Sequence, residues 1–189
     1  MTEKLLAECR GEVYRYSKEE FRLSSGALSH HYFNCRKITL HPVRLQLLAE
    51  IIRDELLPDI YGKELPLAAG GLTLGADPIA VSLSLSLLNH EKQLFPLIVR
   101  KTAKGHGLGR RIEGEYDGID EVLALDDVVT TGSSTLEAVE AFRQVGLTVR
   151  HAICVVDREE GGAELLQNNG VKLYSVFKKR DFISEQERM

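Results

Sequence analysis

The stretch Val-Leu-Ala-Leu-Asp-Asp-Val-Val-Thr-Thr-Gly-Ser-Ser, from Val122 to Ser134, constrains the fold more than any other part of the chain. Val122 to Leu125 are apolar without alternation, the pattern of a strand buried on both faces, and so of a parallel sheet covered by helices. Asp126 and Asp127 then fall at the carboxyl end of that strand, where open α/β sheets collect their ligands. Beyond them, Val128, Val129, Thr130, Thr131, Gly132, Ser133 and Ser134 combine hydroxyls with approachable backbone N–H groups. A helix follows. Leu136, Val139, Phe142 and Val145 recur at intervals of three with Ala138 and Ala141 beside them, Ser134 and Glu137 have capping-box spacing, and Gly146 supplies a stop.

The amino end of such a helix offers unpaired N–H donors and the positive end of its dipole, so it can hold a phosphate without a lysine. The loop lacks the Lys of a Walker A motif, which disfavours a nucleotide triphosphatase of that class. Two carboxylates next to a phosphate would repel it and are better placed to accept hydrogen bonds from sugar hydroxyls. The segment therefore reads as a site for a phosphorylated sugar. The plainer alternative, an Asp pair that merely ends a strand before a turn, is disfavoured because strand, acids, loop and helix all agree.

An acid-acid pair followed by Val-x-Thr-Thr-Gly-x-Ser resembles the phosphoribosyl pyrophosphate (PRPP) loop of type I phosphoribosyltransferases. A second segment narrows the resemblance. Arg100-Lys101-Thr102-Ala103-Lys104-Gly105-His106-Gly107, continuing to Arg111-Ile112-Glu113-Gly114, is similar to the mobile catalytic loop of the orotate phosphoribosyltransferase family. From Arg100 to Arg111 the chain has five Lys or Arg residues and no acid. Such a cluster repels itself unless an anion visits, which suits pyrophosphate. Gly105, Gly107 and Gly109 supply hinge freedom. A solvated basic loop is the alternative for this run taken alone. The Gly-x-Gly-x-Gly is no dinucleotide fingerprint, because Arg110 stands where the third glycine is needed.

Phe21 to Gly26 with Ser29-His30-His31-Tyr32-Phe33-Asn34 resembles the family's N-terminal hood, which implies that main chain at Tyr32 and Phe33 holds the flat orotate ring. Read alone, these residues are an aromatic-rich strand pair. Val155-Val156-Asp157-Arg158-Glu159 resembles the strand end whose arginine contacts orotate, and a guanidinium fork suits a planar anion. The chain also departs from the family. Ser24 stands where many members carry Lys, and Gly70 to Pro78 contains no Tyr-Lys pair. Leu74 and Gly75 are expected to grip pyrophosphate through backbone N–H groups, leaving a larger share to Lys101 and Lys104.

The resemblance implies a type I phosphoribosyltransferase fold: an α/β domain with a central, mostly parallel sheet, a core near 39–159 and a small hood from about 1–38 plus 160–189. It implies transfer of phosphoribose from PRPP to orotate, giving orotidine 5'-monophosphate and pyrophosphate. PRPP contacts are expected at Leu74, Gly75, Arg100, Lys101, Lys104, His106 and residues 126–134. Orotate contacts are expected at Tyr32, Phe33, Thr130 and Arg158. Lys104, Asp126 and Asp127 would carry catalysis, with Mg²⁺ held mainly through substrate and no direct protein ligand. A homodimer with shared active sites is implied, so that Lys104 of one subunit completes the site of the other. Rival functions are a phosphoribosyltransferase for another base and a non-catalytic nucleotide-binding regulator.

Composition agrees. The 189 residues are 43% hydrophobic, enough for one α/β domain with a core. A net charge of -4 argues against broad nucleic-acid binding. Cys9, Cys35 and Cys154 are odd in number and widely spaced, with neither disulfide nor zinc pattern. The acidic N-terminus lacks a signal-peptide pattern and no apolar run reaches spanning length, so a soluble cytoplasmic protein is expected. Helices are expected near 3–17 and from Pro42, with strands at 66–69, 95–99, 122–125 and 149–156. Val81 to Leu87 alternates like a strand but is expected to be helical, because Asp77-Pro78 is a start signal and a parallel crossover needs a helix. The tail, Leu173 to Phe177 and a charged helix, is expected to complete the hood.

Overall fold

The computed structural model describes residues 1–22, 28–102 and 111–183. Helix α1 (Thr2–Val13) buries Leu5, Cys9 and Val13. It stops short of the expected residue 17 because β1 (Tyr14–Arg22) pairs antiparallel with β2 (Leu28–Phe33), Tyr14 lying opposite Phe33. Pairing satisfies this backbone better than another helical turn would, since Tyr14 gains a tilted aromatic partner in Phe33 with ring centroids 5.2 Å apart.

Helix α2 (Arg36–Thr39) leads to α3 (Pro42–Ile51), which starts at the expected proline. One π-helical turn over Ile52–Leu56 joins it to α4 (Leu57–Tyr61). From there strands and helices alternate: β3 (Ala68–Leu72), α5 (Asp77–Leu88), β4 (Phe95–Val99), β5 (Ile112–Glu113), β6 (Val122–Val129), α6 (Ser133–Gln144), β7 (His151–Asp157), α7 (Gly162–Asn168), β8 (Lys172–Lys178) and α8 (Lys179–Phe182). Val81 to Leu87 is helical as expected. Ile79, Ala80, Leu83 and Leu87 form its buried face, while Val81 and Leu85 stand outside.

The central sheet runs β5-β4-β3-β6-β7-β8, parallel except for β5. Alternation along β6 divides the core in two. Val122 and Ala124 pack with Ala138, Val139 and Phe142 of α6. Leu123 and Leu125 pack on the other face with Leu48, Ile79 and Leu83. The tail strand β8 belongs to this sheet, parallel to β7, and not to the hood as expected. Its mixed run Lys-Leu-Tyr-Ser-Val-Phe-Lys suits either place, and the edge of β7 decides the matter by offering a ladder from His151 to Asp157. The tail still reaches the hood through Phe182 of α8, which packs against Phe33 at 5.4 Å and Phe177 at 5.5 Å. Among the described residues no helix is long and apolar enough to cross a membrane.

Strand order reverses between β3 and β6, since β4 and β5 lie to one side and β7 and β8 to the other. The crevice at the carboxyl ends of those two strands is where such a sheet binds ligands. β3 is made of small residues because it is squeezed there: a Cβ on Gly71 would lie 2.0 Å from the Leu125 carbonyl oxygen. Gly71→Ala should therefore destabilise the protein by about 3 kcal/mol or more in urea titrations, whereas Gly11→Ala, on the open face of α1 with nothing within 4 Å, should stabilise it by about 0.5 to 1 kcal/mol.

Candidate active site

The two carboxylates lie in the carboxyl-terminal half of β6, which runs on to Val129 because β7 continues to pair with it, and not only to Leu125 as expected; they point to opposite faces, as strand periodicity requires. Asp126 continues the face that Val122 and Ala124 present to α6, and its Oδ2 accepts the Thr135 hydroxyl at 2.7 Å. Its Oδ1 accepts the backbone N–H of Asp127 at 2.9 Å. Asp127 takes the face toward the hood, with Oδ1 accepting the Val128 N–H at 2.9 Å. The turn after β3 lies against both. A Cβ on Gly75 would sit 2.8 Å from Asp127 Oδ1 and 3.0 Å from Asp126 Oδ1, so only glycine allows this approach. The Thr73–Leu74 peptide in the same turn is cis.

Burial dominates the protonation of the pair. It pushes Asp126 up to about 7, against the pull of the Thr135 hydroxyl, and the charge of Asp127 pushes the same way. Asp127 is raised also, again chiefly by burial, and the Val128 N–H and the charge of Arg36 oppose it.

The loop after β6 turns at Gly132, whose φ of 82° lies in the left-handed region. Gly132 is the N-cap of α6, and no side chain caps the helix. The expected capping box of Ser134 and Glu137 is absent. Glu137 instead pairs with Arg111 at 2.5 Å. The first backbone bond of α6 is from the Leu136 N–H to the Gly132 carbonyl, so the N–H groups of Ser133, Ser134 and Thr135 precede the ladder. Thr131 and Ser133 share a hydroxyl bond of 3.1 Å.

Arg158 follows β7, and its backbone N–H is bonded to the Val129 carbonyl at 2.9 Å, which ties it to the loop. Only 2% of it is exposed. Its Nη2 donates to Ser29 Oγ at 3.0 Å and the His31 carbonyl at 3.2 Å, and pairs with Glu160 at 3.0 Å. The guanidinium lies 5.7 Å from the Phe33 ring centroid, and its Nε has no partner.

A cleft of about 440 Å³ gathers most of the expected residues. Tyr32, Phe33, Leu74, Gly75, Lys101, Asp126, Asp127, Val128, Thr130, Ser134 and Arg158 all line it. Val129, Thr131, Gly132 and Ser133 shape the loop without forming its wall. Arg100 lies apart, in an adjoining groove with Asp77, where it pairs with Glu113 at 3.3 Å. Lys104 and His106 lie outside the described residues, as do Ser24 and the expected hinge glycines. The cleft also holds Arg22, Asn34, Cys35 and Arg36, which sequence reasoning did not select. Asn34 directly follows Tyr32 and Phe33, so proximity was a usable signal for it. No local pattern distinguished Arg36, since only the packing of α2 brings it to the acids.

A scan against models of known protein families finds no match. Individual proteins do match. The chain is 53% identical over 170 residues to an orotate phosphoribosyltransferase of Leptospira biflexa, covering 90% of this chain and 91% of that one. It is 46% identical over 158 residues to an orotate phosphoribosyltransferase of Aquifex aeolicus, covering 84% of each. Among solved structures, the Mycobacterium tuberculosis H37Rv orotate phosphoribosyltransferase in complex with PRPP aligns with a TM-score of 0.71 at 29% identity, covering 96% of this chain and 91% of that chain.

The raised Asp126 makes a stability prediction. Between pH 4 and 7 the folded state holds a proton that the unfolded chain has released, so wild-type stability falls as pH rises through this window. Asp126→Asn removes that loss while its amide still meets Thr135 and the Asp127 N–H. It should be more stable than wild type at pH 8, by up to about 4 kcal/mol, and the gain should shrink toward zero at pH 4. Thermal melts of both proteins across this range measure the difference.

Proposed function

The chain belongs to the orotate phosphoribosyltransferase family, and from that premise we propose that its cleft transfers the 5-phosphoribosyl group of PRPP to orotate, yielding orotidine 5'-monophosphate and pyrophosphate. One observation carries this reading: Arg158 is bonded through its backbone to Val129 of β6, the strand that carries Asp126 and Asp127, and all three face one cleft. That arrangement sets an anion fork for the base at a fixed reach from a phosphate cradle and a pair of ribose acceptors.

The 5-phosphate would rest on the leading N–H groups of α6 and the hydroxyls of Thr130, Thr131, Ser133 and Ser134, with the helix dipole favouring its charge. Orotate, a planar anion, would rest against the main chain of Tyr32 and Phe33 within reach of the Arg158 guanidinium and Thr130. Asp126 and Asp127 would accept the ribose hydroxyls and face C1. As the C1–O bond breaks, the bonding pair leaves with pyrophosphate and positive charge grows on the ribose. Carboxylates held in place before the reaction stabilise that charge without reorganising. The ring nitrogen of orotate, bound with its proton already lost to solvent, then uses its freed electron pair to form the new bond to C1, so no protein base is needed.

Mg²⁺ fits this cleft as an ion carried by the substrate. Asp127 is a hard oxygen donor at its wall, suited to orient such an ion directly or through water. When bound, the ion would neutralise charge gathering on the leaving pyrophosphate. Leu74 and Gly75 would meet pyrophosphate through backbone, and Lys101 would do so by charge. Lys104 and His106 are proposed by resemblance to close over it. Three unpaired cysteines, all buried, suit a reducing cytoplasm.

A two-fold dimer is part of the proposal. Val81, Leu85 and Leu88 form one apolar stripe on the outer side of α5, with Leu85 60% exposed. A second copy of the same stripe is a self-complementary cover for it. The family resemblance adds that Lys104 would reach the partner's cleft.

The direct test incubates the protein with PRPP, Mg²⁺ and each free base. Orotate absorbance should fall only when PRPP and Mg²⁺ are both present, and consumption of a purine base in its place would overturn the assignment. Arg158→Lys keeps a charge but loses the fork, so orotate affinity should fall by about 1.5 to 3 kcal/mol with little change for PRPP. Equal weakening of both ligands in calorimetry would contradict the role. Leu85→Glu should convert dimers to monomers in sedimentation and abolish most turnover while sparing PRPP binding. Full activity in a proven monomer would refute the shared site.

A further inference from the structure

The turn that faces pyrophosphate poses a charge problem. From Leu72 to Pro78 it contains no Lys or Arg, and its only ionisable side chain is the acid Asp77. Asp126 and Asp127 stand directly beneath it. Backbone N–H groups alone would have to hold a highly charged anion against two carboxylates.

Among the described residues, four cationic side chains line the cleft: Arg22, Arg36, Lys101 and Arg158. They differ in how far they are already committed. Arg158 is tied to Ser29, His31 and Glu160. Lys101 also borders the adjoining groove, whose wall carries the acids Asp77 and Glu113. Arg22 ends β1, at the far end of the hood hairpin from the Tyr14 and Phe33 pairing. Arg36 is exposed, and its side chain has no hydrogen bond or ion pair among the described residues. Its charge nevertheless reaches Asp127, whose pKa it lowers.

The backbone beneath Arg36 is fixed. Cys35 and Ile38 are buried to either side, the Ile38 N–H bonds the Cys35 carbonyl at 2.8 Å, and the Leu40 N–H bonds the Arg36 carbonyl at 3.0 Å. The Asn34 N–H is held by the Val13 carbonyl at 2.8 Å. A rigid base therefore presents an uncommitted guanidinium to the cleft whose wall also carries Leu74, Gly75 and Asp127, and its charge is felt at Asp127. The 5-phosphate cradle at the start of α6 has its own donors and needs no such cation.

We propose that Arg36 binds the pyrophosphate group of PRPP, supplying the positive charge that the turn after β3 lacks. This deepens the transferase reading and rests on it. The fork can bond two oxygens of one phosphoryl group, which a backbone turn cannot neutralise. Its place beside Asp127 also separates that carboxylate from the substrate's negative charge.

The test uses the full chain as wild type, Arg36→Gln and Arg36→Lys. Calorimetry with Mg²⁺ present measures the affinities for inorganic pyrophosphate, PRPP, ribose 5-phosphate and orotate, and steady-state kinetics give KM for both substrates. In Arg36→Gln, affinity for pyrophosphate and PRPP should fall roughly tenfold or more. Ribose 5-phosphate and orotate should stay within about twofold, and Arg36→Lys should recover part of the loss. Melting temperatures should stay within a few degrees of wild type, because the side chain has no hydrogen bond or ion pair among the described residues. Unchanged pyrophosphate affinity in Arg36→Gln would overturn the assignment, and so would equal loss for ribose 5-phosphate and orotate, which marks a general distortion. A wild-type protein that fails to consume orotate would instead overturn the transferase reading, and the pyrophosphate titration would still decide the role of Arg36.

Discussion

Everything in this molecule is arranged around keeping Asp126 buried at the end of a central strand. A carboxylate in that position is expensive, since removal from water opposes its charge. The protein offsets only part of this, through one hydroxyl from Thr135 and one backbone N–H from Asp127. The acid consequently titrates near neutrality, at about 7. A group left so poorly solvated gains most when positive charge develops beside it, as it does on a ribose losing its leaving group. The instability is thus local, and the two apolar clusters that flank β6 hold the strand in place against it.

The cleft's two ends are joined by main chain. Arg158 donates its N–H to Val129, and Gly162 donates its N–H to the Thr130 carbonyl at 3.1 Å. Gly132 and Gly162 pack so closely that a Cβ on Gly132 would lie 2.9 Å from the Gly162 carbonyl oxygen. Arg158 and the loop after β6 are thus tied together by main chain, which suits the proposed reaction, whose two partners must align to a fraction of an ångström. The hood is attached more loosely, through the aromatic contacts of Tyr14, Phe33, Phe177 and Phe182 and through the bonds of Arg158 to Ser29 and His31. The same arginine thus spans the base site and the hood that covers it.

Most of the fold was legible because its strands are short apolar runs between strong punctuation. Phe95 to Val99 matched to the residue, and Pro42 and Pro78 marked their helices. Misjudgements fell where long-range pairing overrides local preference. Residues 14 to 17 can continue a helix or begin a strand, and β2 decided between them. β8 alternates no more clearly than a hood strand would, and the open edge of β7 claimed it. The capping box failed because Glu137 found a stronger partner in Arg111, a residue remote in sequence.

By itself the sequence determined the phosphate loop, the acids beside it and the parallel sheet that presents them, because these depend on contiguous residues whose backbone needs are local. A strand end, a glycine turn and a helix start must occur in that order wherever the chain goes. Lys101 and Arg158 were legible as cleft cations, but only tertiary structure added Arg22 and Arg36 to them and removed Arg100. Arg36 is there, and Arg100 is turned aside to Glu113, although sequence favoured the second over the first. The reason is physical: a long charged side chain has no intrinsic direction, and only the packing of the backbone beneath it and the acids within its reach determine where its charge is spent.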